Sequence, residues 1–125
     1  MMSSSRALVV AVGGALGATC RWGIDAIIGP TDWPWVLLVV NVAGSFVLGL
    51  VLVAATTSKR ELIRLGGGVG FCGGLTTFSS FAVVAARLIE ADRTVSGAAF
   101  VAVSIGLACV ALVAGMRLRQ PAAAQ

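Results

Sequence analysis

The sequence predicts an all-α membrane protein with four transmembrane helices, because apolar residues dominate it and because it contains four long apolar segments. Hydrophobic residues make up 58% of its 125 positions and charged residues only 11%, with a mean hydropathy of +1.02. A soluble domain carries about 25% charged residues. This chain has too few charges to coat a small water-soluble globule, and the same apolar excess excludes a disordered chain.

Each predicted span has the length that a membrane helix needs, about 20 apolar residues. The spans cover residues 7–28, 35–55, 65–86 and 94–116. The first carries Arg21 and Asp25 in its last part, and the other three carry no charge. The segments lack the alternating pattern of a membrane β-barrel. Because the connections are short, residues 1–125 are predicted to form a single four-helix transmembrane domain.

The basic residues lie at the ends of segments, which indicates topology signals rather than a nucleic-acid surface. Four spans place both termini on one side of the membrane. That side holds six basic residues, Arg6, Lys59, Arg60, Arg64, Arg117 and Arg119, against Arg21, Arg87 and Arg93 on the other. The bias predicts cytoplasmic termini in a multi-pass protein of the cell membrane, surrounded by lipid and without a nucleic-acid partner.

Residue types limit the chemistry that the chain can perform. Histidine is absent, which removes the commonest general base and a common metal ligand. No pairing of a nucleophile with a base is visible, so no enzymatic activity is predicted. The three cysteines, Cys20, Cys72 and Cys109, lie in apolar runs and are predicted to be free, buried thiols.

The third span departs most from a plain apolar helix. Gly73-Gly74 followed by Thr76-Thr77 is poor helix-forming sequence near the middle of the span. An unwound turn there would free backbone groups of the kind from which transporters build ion sites. The alternative is that glycine at every fourth position from Gly66 to Gly74 forms a helix-packing face. A break and a packing face can coexist in one helix.

Several other intramembrane residues allow both a structural and a functional interpretation. Phe78 and Phe81 share one helix face and are either core or lipid-facing rings, or rings whose positive edges face a small anion. Asn41 and Ser104 either bond between helices or line a pore. Arg21 either reaches the membrane surface, pairs with Asp25 one turn away, or draws anions into a vestibule.

Three motifs together resemble the Fluc/CrcB family of fluoride channels. They are Gly-Gly-x-x-Gly-x-x-x-Arg at Gly13–Arg21, Asn-Val-x-Gly-Ser-Phe at Asn41–Phe46, and Gly-Phe-Cys-Gly-Gly-Leu-Thr-Thr-Phe-Ser-Ser-Phe at Gly70–Phe81. The third motif is long and specific, whereas the other two would be weak alone. The fourth span matches by length and by Ser104.

The resemblance implies an antiparallel dimer of four-helix subunits whose third helices are broken at mid-membrane. It implies a structural Na⁺ on the dimer axis, held by the backbone carbonyls of Gly73 and Thr76. It also implies a fluoride pathway that includes Asn41, Phe78, Phe81, Ser104 and Arg21. The implied function is passive, fluoride-selective export across the cytoplasmic membrane, which relieves fluoride toxicity.

Two departures from the family pattern qualify these expectations. The family often has a Gly-Thr pair upstream of the pore asparagine, and this chain has Val36 and Leu37 there. The charge bias is also larger than expected for a chain that inserts in both orientations. It favours a heterodimer with an oppositely oriented paralogue over a homodimer.

Two other classes of protein remain as alternatives. A small multidrug exporter also uses four helices in inverted dimers, but it needs an embedded carboxylate, and Asp25 near a span end is the only candidate. A membrane assembly factor would use the glycine faces for packing alone.

Overall fold

The chain is helical in nearly all of the part that the structure describes. A computed structural model describes residues 4–29, 31, 33–54 and 60–119. No strand occurs in these ranges. The elements in chain order are α1 (Ser4–Ile28), α2 (Trp35–Ala54), α3 (Glu61–Ile63), a π-helical stretch (Arg64–Cys72), α4 (Gly73–Leu75), α5 (Phe78–Glu90) and α6 (Thr94–Arg119).

Four of the described segments are long and apolar enough to cross a membrane, which confirms the predicted four-span fold. They are Ser4–Ile28, Trp35–Val53, Glu61–Glu90 and Thr94–Arg119. The third is longer than the predicted 65–86 and is built from several helical pieces. Residue 55, the predicted end of the second span, lies outside the described residues, as does Lys59 of the charge count.

The spans run alternately up and down, so that the start of α1 and the end of α6 lie at the same end of the bundle. Arg6 near the start of α1 forms an ion pair with Glu61 of α3, with 3.1 Å between Nη2 and Oε2. Arg119 of α6 borders the same cavity as Arg60. At the opposite end, the Arg93 guanidinium lies 5.9 Å from the ring centre of Trp33.

Glycines bring α1 and the first half of the third span, residues 61–75, into close contact. A methyl group on Gly17 would overlap the carbonyl oxygen of Phe71. One on Gly70 would lie 2.7 Å from the carbonyl oxygen of Val10, and one on Gly74 would overlap the backbone of Gly14. The glycines of the third span therefore form the helix-packing face that their spacing allowed.

A second crossing joins α2 to α6 through Gly49 and Gly115. A methyl group on either glycine would overlap a carbonyl oxygen of the opposite helix. The apolar core lies between α5 and α6, toward the opposite end of α6 from Gly115. Its buried members are Phe81, Ala85, Leu88 and Phe100, with Trp33 and Leu37 packed against them.

The cysteines differ from the sequence expectation in their burial. All three are free, as expected, but only Cys72 is buried, and Cys20 and Cys109 are exposed on the surface of the protein. Their apolar sequence neighbours indicate a membrane segment, and a membrane segment also has an outer face. Apolar neighbours in sequence therefore did not distinguish the core from the outer surface.

Candidate functional site: a break in the third span and a polar cavity

The third span is broken halfway along its length, as the family resemblance implied. Gly73–Leu75 is helical, whereas Thr76 and Thr77 are extended, with φ/ψ of −80°/152° and −143°/122°. Helix α5 then begins at Phe78. The unwound residues are therefore the two threonines, and the preceding glycines Gly73 and Gly74 stay helical. Glycine weakens the helix here, but the interruption itself falls on β-branched residues.

Asn41 of α2 bonds to the broken segment from the side. Its Oδ1 accepts the backbone N–H of Thr77 at 3.0 Å, and its Nδ2 donates to the Thr77 carbonyl oxygen at 3.4 Å. Unsatisfied backbone groups cost several kcal/mol in a membrane, whereas a bond between membrane helices contributes about 0.6 kcal/mol on average. The amide of Asn41 therefore stabilises the fold mainly because it satisfies the backbone N–H and C=O of Thr77, which would otherwise lack hydrogen-bond partners. This confirms the interhelical alternative for Asn41 and leaves its pore role a prediction.

The Thr77 side chain begins the next helix. Its Oγ1 accepts the backbone N–H of Ser80 at 3.2 Å, which is the bond of an N-cap residue. In a continuous helix that N–H would bond to the Thr76 carbonyl, and the Thr77 N–H would bond to the Gly73 carbonyl. Here the Ser80 N–H bonds instead to Oγ1 of Thr77, and the Thr77 N–H bonds to Oδ1 of Asn41. The break therefore leaves the carbonyls of Gly73 and Thr76 without their helical partners among the residues that the structure describes.

Beside the break lies an open-sided cavity of about 220 Å³. Hydroxyl and amide groups line one part of it and apolar side chains the rest. None of the described residues around it is charged. The lining consists of Asn41, Ser45, Thr76, Thr77, Phe78, Phe81, Ser104, Ile105 and Ala108. The structure therefore brings together four of the residues that the family resemblance assigns to a pathway: Asn41, Phe78, Phe81 and Ser104.

Ser104 contributes a buried hydroxyl with an unmet bonding capacity. Its side chain is 6% exposed, and its Oγ has no hydrogen-bond partner within the described part of the chain. A buried hydroxyl without a partner costs about 1–3 kcal/mol. Because Ser104 borders the cavity, a hydrogen-bond acceptor that entered there would recover this cost.

The two phenylalanine rings border the same cavity but have very different surroundings. Their ring centres are 5.6 Å apart. Phe81 is 9% exposed and packs 5.5 Å from Phe100, whereas Phe78 is 79% exposed on the surface of the protein. Phe81 therefore belongs to the core and Phe78 to the surface, and the anion-facing role of the two rings stays a prediction.

Arg21 and Gly73 do not border this cavity. Arg21 is half-buried, and its Nε has no hydrogen-bond partner among the described residues. Asp25 is exposed and does not form an ion pair with Arg21, although the structure describes both residues. Of the three alternatives for Arg21, the pair with Asp25 is therefore absent from the structure, and the other two stay open. Gly73 is exposed, and a methyl group built on it would meet nothing within 4 Å in the described part of the chain.

Sequence reasoning did not identify what Gly44 and Ser45 contribute to this site. A methyl group on Gly44 would overlap Cγ2 of Thr76, so the glycine makes room for the broken segment. The Ser45 hydroxyl donates to the backbone carbonyl oxygen of Asn41 at 2.8 Å. The signal was present, since both residues stand in the motif Asn41–Phe46. Leu37, at the position where the family often has threonine, packs against the Phe81–Phe100 core.

These features define a class of protein. The chain is a multi-pass helical membrane protein whose third span breaks beside an uncharged polar cavity. Half-helices that end within a membrane are a common means of building ion sites.

Comparison with known proteins identifies the family. The model of the CrcB-like protein, Camphor Resistance (CrcB) family matches residues 8–116. A Halobacterium salinarum protein named fluoride-specific ion channel FluC 1 is 47% identical over 92 residues, which are 74% of this chain and 75% of that protein. The fluoride-specific ion channel FluC of Rhizobium etli is 40% identical over 119 residues, 90% of this chain and 94% of its own. The chain belongs to the CrcB family.

Proposed function

We propose that this protein is a fluoride-selective channel that exports fluoride passively across the cytoplasmic membrane. The cavity carries the proposal, because it combines donor groups, aromatic rings and an absence of charge among its described lining residues. The names of the relatives from Halobacterium salinarum and Rhizobium etli support it. Fluoride trapped in the cytoplasm would leave along its gradient, favoured by about 2.3 kcal/mol per 100 mV of inside-negative potential.

The chemistry of the lining suits a small anion. The amide of Asn41 has a second N–H besides the one directed to Thr77, and the Ser104 hydroxyl has no partner among the described residues. The rings of Phe78 and Phe81 can present positively polarised edges. Helix α5 begins at the cavity, and its N-terminus adds positive potential. Together these groups would replace part of the hydration shell of fluoride, and a path with few donors disfavours chloride.

The backbone carbonyls at the break are suitable ligands for a sodium ion. Na⁺ favours hard oxygen ligands, and the carbonyls of Gly73 and Thr76 have lost the amide donors of a regular helix. No cluster of three or more histidine, cysteine, aspartate or glutamate side chains occurs among the described residues. In the arrangement that the family resemblance implies, the two carbonyls would hold the ion, and its positive charge would stabilise two breaks that meet. Because Gly73 is exposed in the subunit, a second copy can approach it.

An antiparallel dimer would complete the pathway. One subunit leaves the cavity open-sided, with Phe78 79% exposed beside it, and a second subunit would close it. The basic residues at the end shared by the termini predict that this end is cytoplasmic in the majority orientation. The partner is either an inverted copy of this chain or, as the charge bias favours, an oppositely oriented paralogue.

Labelling of a C-terminal tag in cells tests the choice of partner. A strongly biased chain should be labelled almost entirely from the cytoplasmic side, which requires a paralogue for the opposite orientation. Equal labelling from both sides would contradict the heterodimer and favour the homodimer. Mutating Arg117 and Arg119 to glutamine in the tagged chain should shift the labelling toward equality.

Efflux from liposomes tests the function itself. Purified chain reconstituted into liposomes, together with its paralogue if the labelling requires one, should release fluoride rapidly and chloride hardly at all. Uptake of a drug coupled to a proton gradient would instead indicate the exporter. The exposed position of Asp25 near the end of α1 does not favour that outcome.

A further inference from the structure

The broken segment is held by an amide from another span. Thr77 is extended, with φ −143° and ψ 122°, and an extended residue directs its N–H and its C=O to the same side. The side chain of Asn41 meets both groups, accepting at 3.0 Å and donating at 3.4 Å. This two-point contact fits Thr77 only in its extended conformation, since a helical residue directs the two groups in opposite directions.

The same contact determines what happens to the Gly73 carbonyl. In an uninterrupted helix the Thr77 N–H would bond to the Gly73 oxygen. Here that N–H bonds to Oδ1 of Asn41 instead. The carbonyl that would hold sodium therefore depends on a side chain that does not itself belong to the third span.

We infer that Asn41 is a positioning residue for the cation site, in addition to any role along the anion pathway. It takes the Thr77 N–H away from Gly73 and keeps the Gly73 carbonyl free for Na⁺. The inference rests on the sodium site of the proposed function. It links the two ions through one side chain, because Asn41 both bonds to the broken segment and borders the cavity.

Neighbouring polar groups do not share this arrangement. Ser45 borders the same cavity, but its hydroxyl bonds to the Asn41 carbonyl within α2. Thr76 bonds through its hydroxyl to Cys72 within its own span at 2.8 Å. Ser45 therefore offers a matched control: removing its hydroxyl changes the polarity of the cavity without touching the backbone of Thr77.

The test compares Asn41→Leu, Asn41→Asp and Ser45→Ala in the purified full-length protein. Leucine has a similar shape but can neither accept nor donate, whereas aspartate keeps an acceptor for the Thr77 N–H. The first measurement is the midpoint of thermal unfolding in detergent as Na⁺ replaces a large organic cation. The second is fluoride efflux from liposomes.

We expect Na⁺ to raise the unfolding midpoint of the wild-type protein and of Ser45→Ala. Asn41→Leu should lose this sodium-dependent shift, and Asn41→Asp should keep it. Both Asn41 variants should lose fluoride efflux, because leucine has no donor and a carboxylate is an acceptor-only anion. Asn41→Asp would then lose fluoride efflux but keep the sodium-dependent shift, whereas Asn41→Leu would lose both.

A full wild-type sodium shift in Asn41→Leu would overturn the inference and leave Asn41 as a pathway residue only. If Asn41→Leu does not fold, Asn41→Asp decides, since a folded aspartate variant without a sodium shift also overturns it. Absence of the shift in the wild-type protein would remove the sodium site and this inference with it. Fluoride efflux by that same wild-type protein would still support the channel.

Discussion

Replacing Phe78 with alanine is expected to lower fluoride efflux about tenfold while leaving the subunit folded. A pair of aromatic rings is worth about 0.5–1.5 kcal/mol; a ring edge that stabilises fluoride in the pathway by a similar amount would change the rate about tenfold, since about 1.4 kcal/mol in a barrier is a factor of ten. The ring is 79% exposed but lies 5.6 Å from the ring of Phe81, so its loss should lower the free energy of unfolding by about 0.5–1.5 kcal/mol and leave the chain folded. Efflux from liposomes and chemical unfolding in detergent measure the two effects.

Val83→Ala is the matched control for Phe78→Ala. Val83 is 49% exposed on the same helix and does not border the cavity, so its truncation should leave efflux unchanged. Equal losses in both variants would mean that any change on this surface disturbs assembly. Unchanged efflux in Phe78→Ala would remove Phe78 from the pathway.

The buried ring needs a different substitution, because its removal would also open the core. Phe81→Ile removes the aromatic ring and keeps most of the volume, but it also loses the ring contacts with Phe78 and Phe100, each worth about 0.5–1.5 kcal/mol. Phe100→Leu disturbs the same core without altering the cavity lining. Phe81→Ile should reduce efflux more than Phe100→Leu at comparable stability. Equal reductions would assign Phe81 to packing alone.

The positions of the spans were predictable because lipid imposes a strict rule on the sequence. A crossing helix must be about 20 residues long and predominantly apolar, and that requirement is visible in one chain without tertiary information. The presence of a break was less visible: glycine and threonine beside each other near the middle of a span weaken a helix locally, but the same glycines fitted a packing face, and the family resemblance was needed to favour the break.

The location and the support of the break were less predictable. It falls at Thr76 and Thr77 and not at Gly73-Gly74, because Asn41 supplies the bonds that an extended Thr77 needs. That partner lies 36 residues away in sequence, and no local pattern records the contact. The π-helical stretch at Arg64–Cys72 was likewise not foreseen, since glycine-rich sequence permits close packing without specifying the bonding pattern.

The two rings show the same limit at the level of side chains. Phe78 and Phe81 stand three residues apart and were expected to share a face, and both do border the cavity. Their burial still differs widely, because Phe100 of α6 covers one ring and no described part of the subunit covers the other. Helical spacing predicts direction, whereas burial is decided by the neighbouring element.

Gly17→Ala is expected to cause a large loss of stability at the contact of α1 with the third span. The added methyl group would overlap the Phe71 carbonyl oxygen and would lie 2.7 Å from the backbone nitrogen of Leu75. Backbone atoms cannot move aside as a flexible side chain can, so the helices must separate. Overpacking typically costs about 1–3 kcal/mol, which exceeds the ~1 kcal/mol that alanine gains over glycine within a helix.

Gly23→Ala supplies the control on the same helix. A methyl group on Gly23 would meet nothing within 4 Å in the subunit, so only the helical preference for alanine remains and the unfolding free energy should rise by up to about 1 kcal/mol. The two variants are therefore expected to change stability in opposite directions in one unfolding assay. Equal values would show that α1 can move away from the third span at no cost. Because Leu75 directly precedes the broken segment, Gly17→Ala should also reduce fluoride efflux, whereas Gly23→Ala should not.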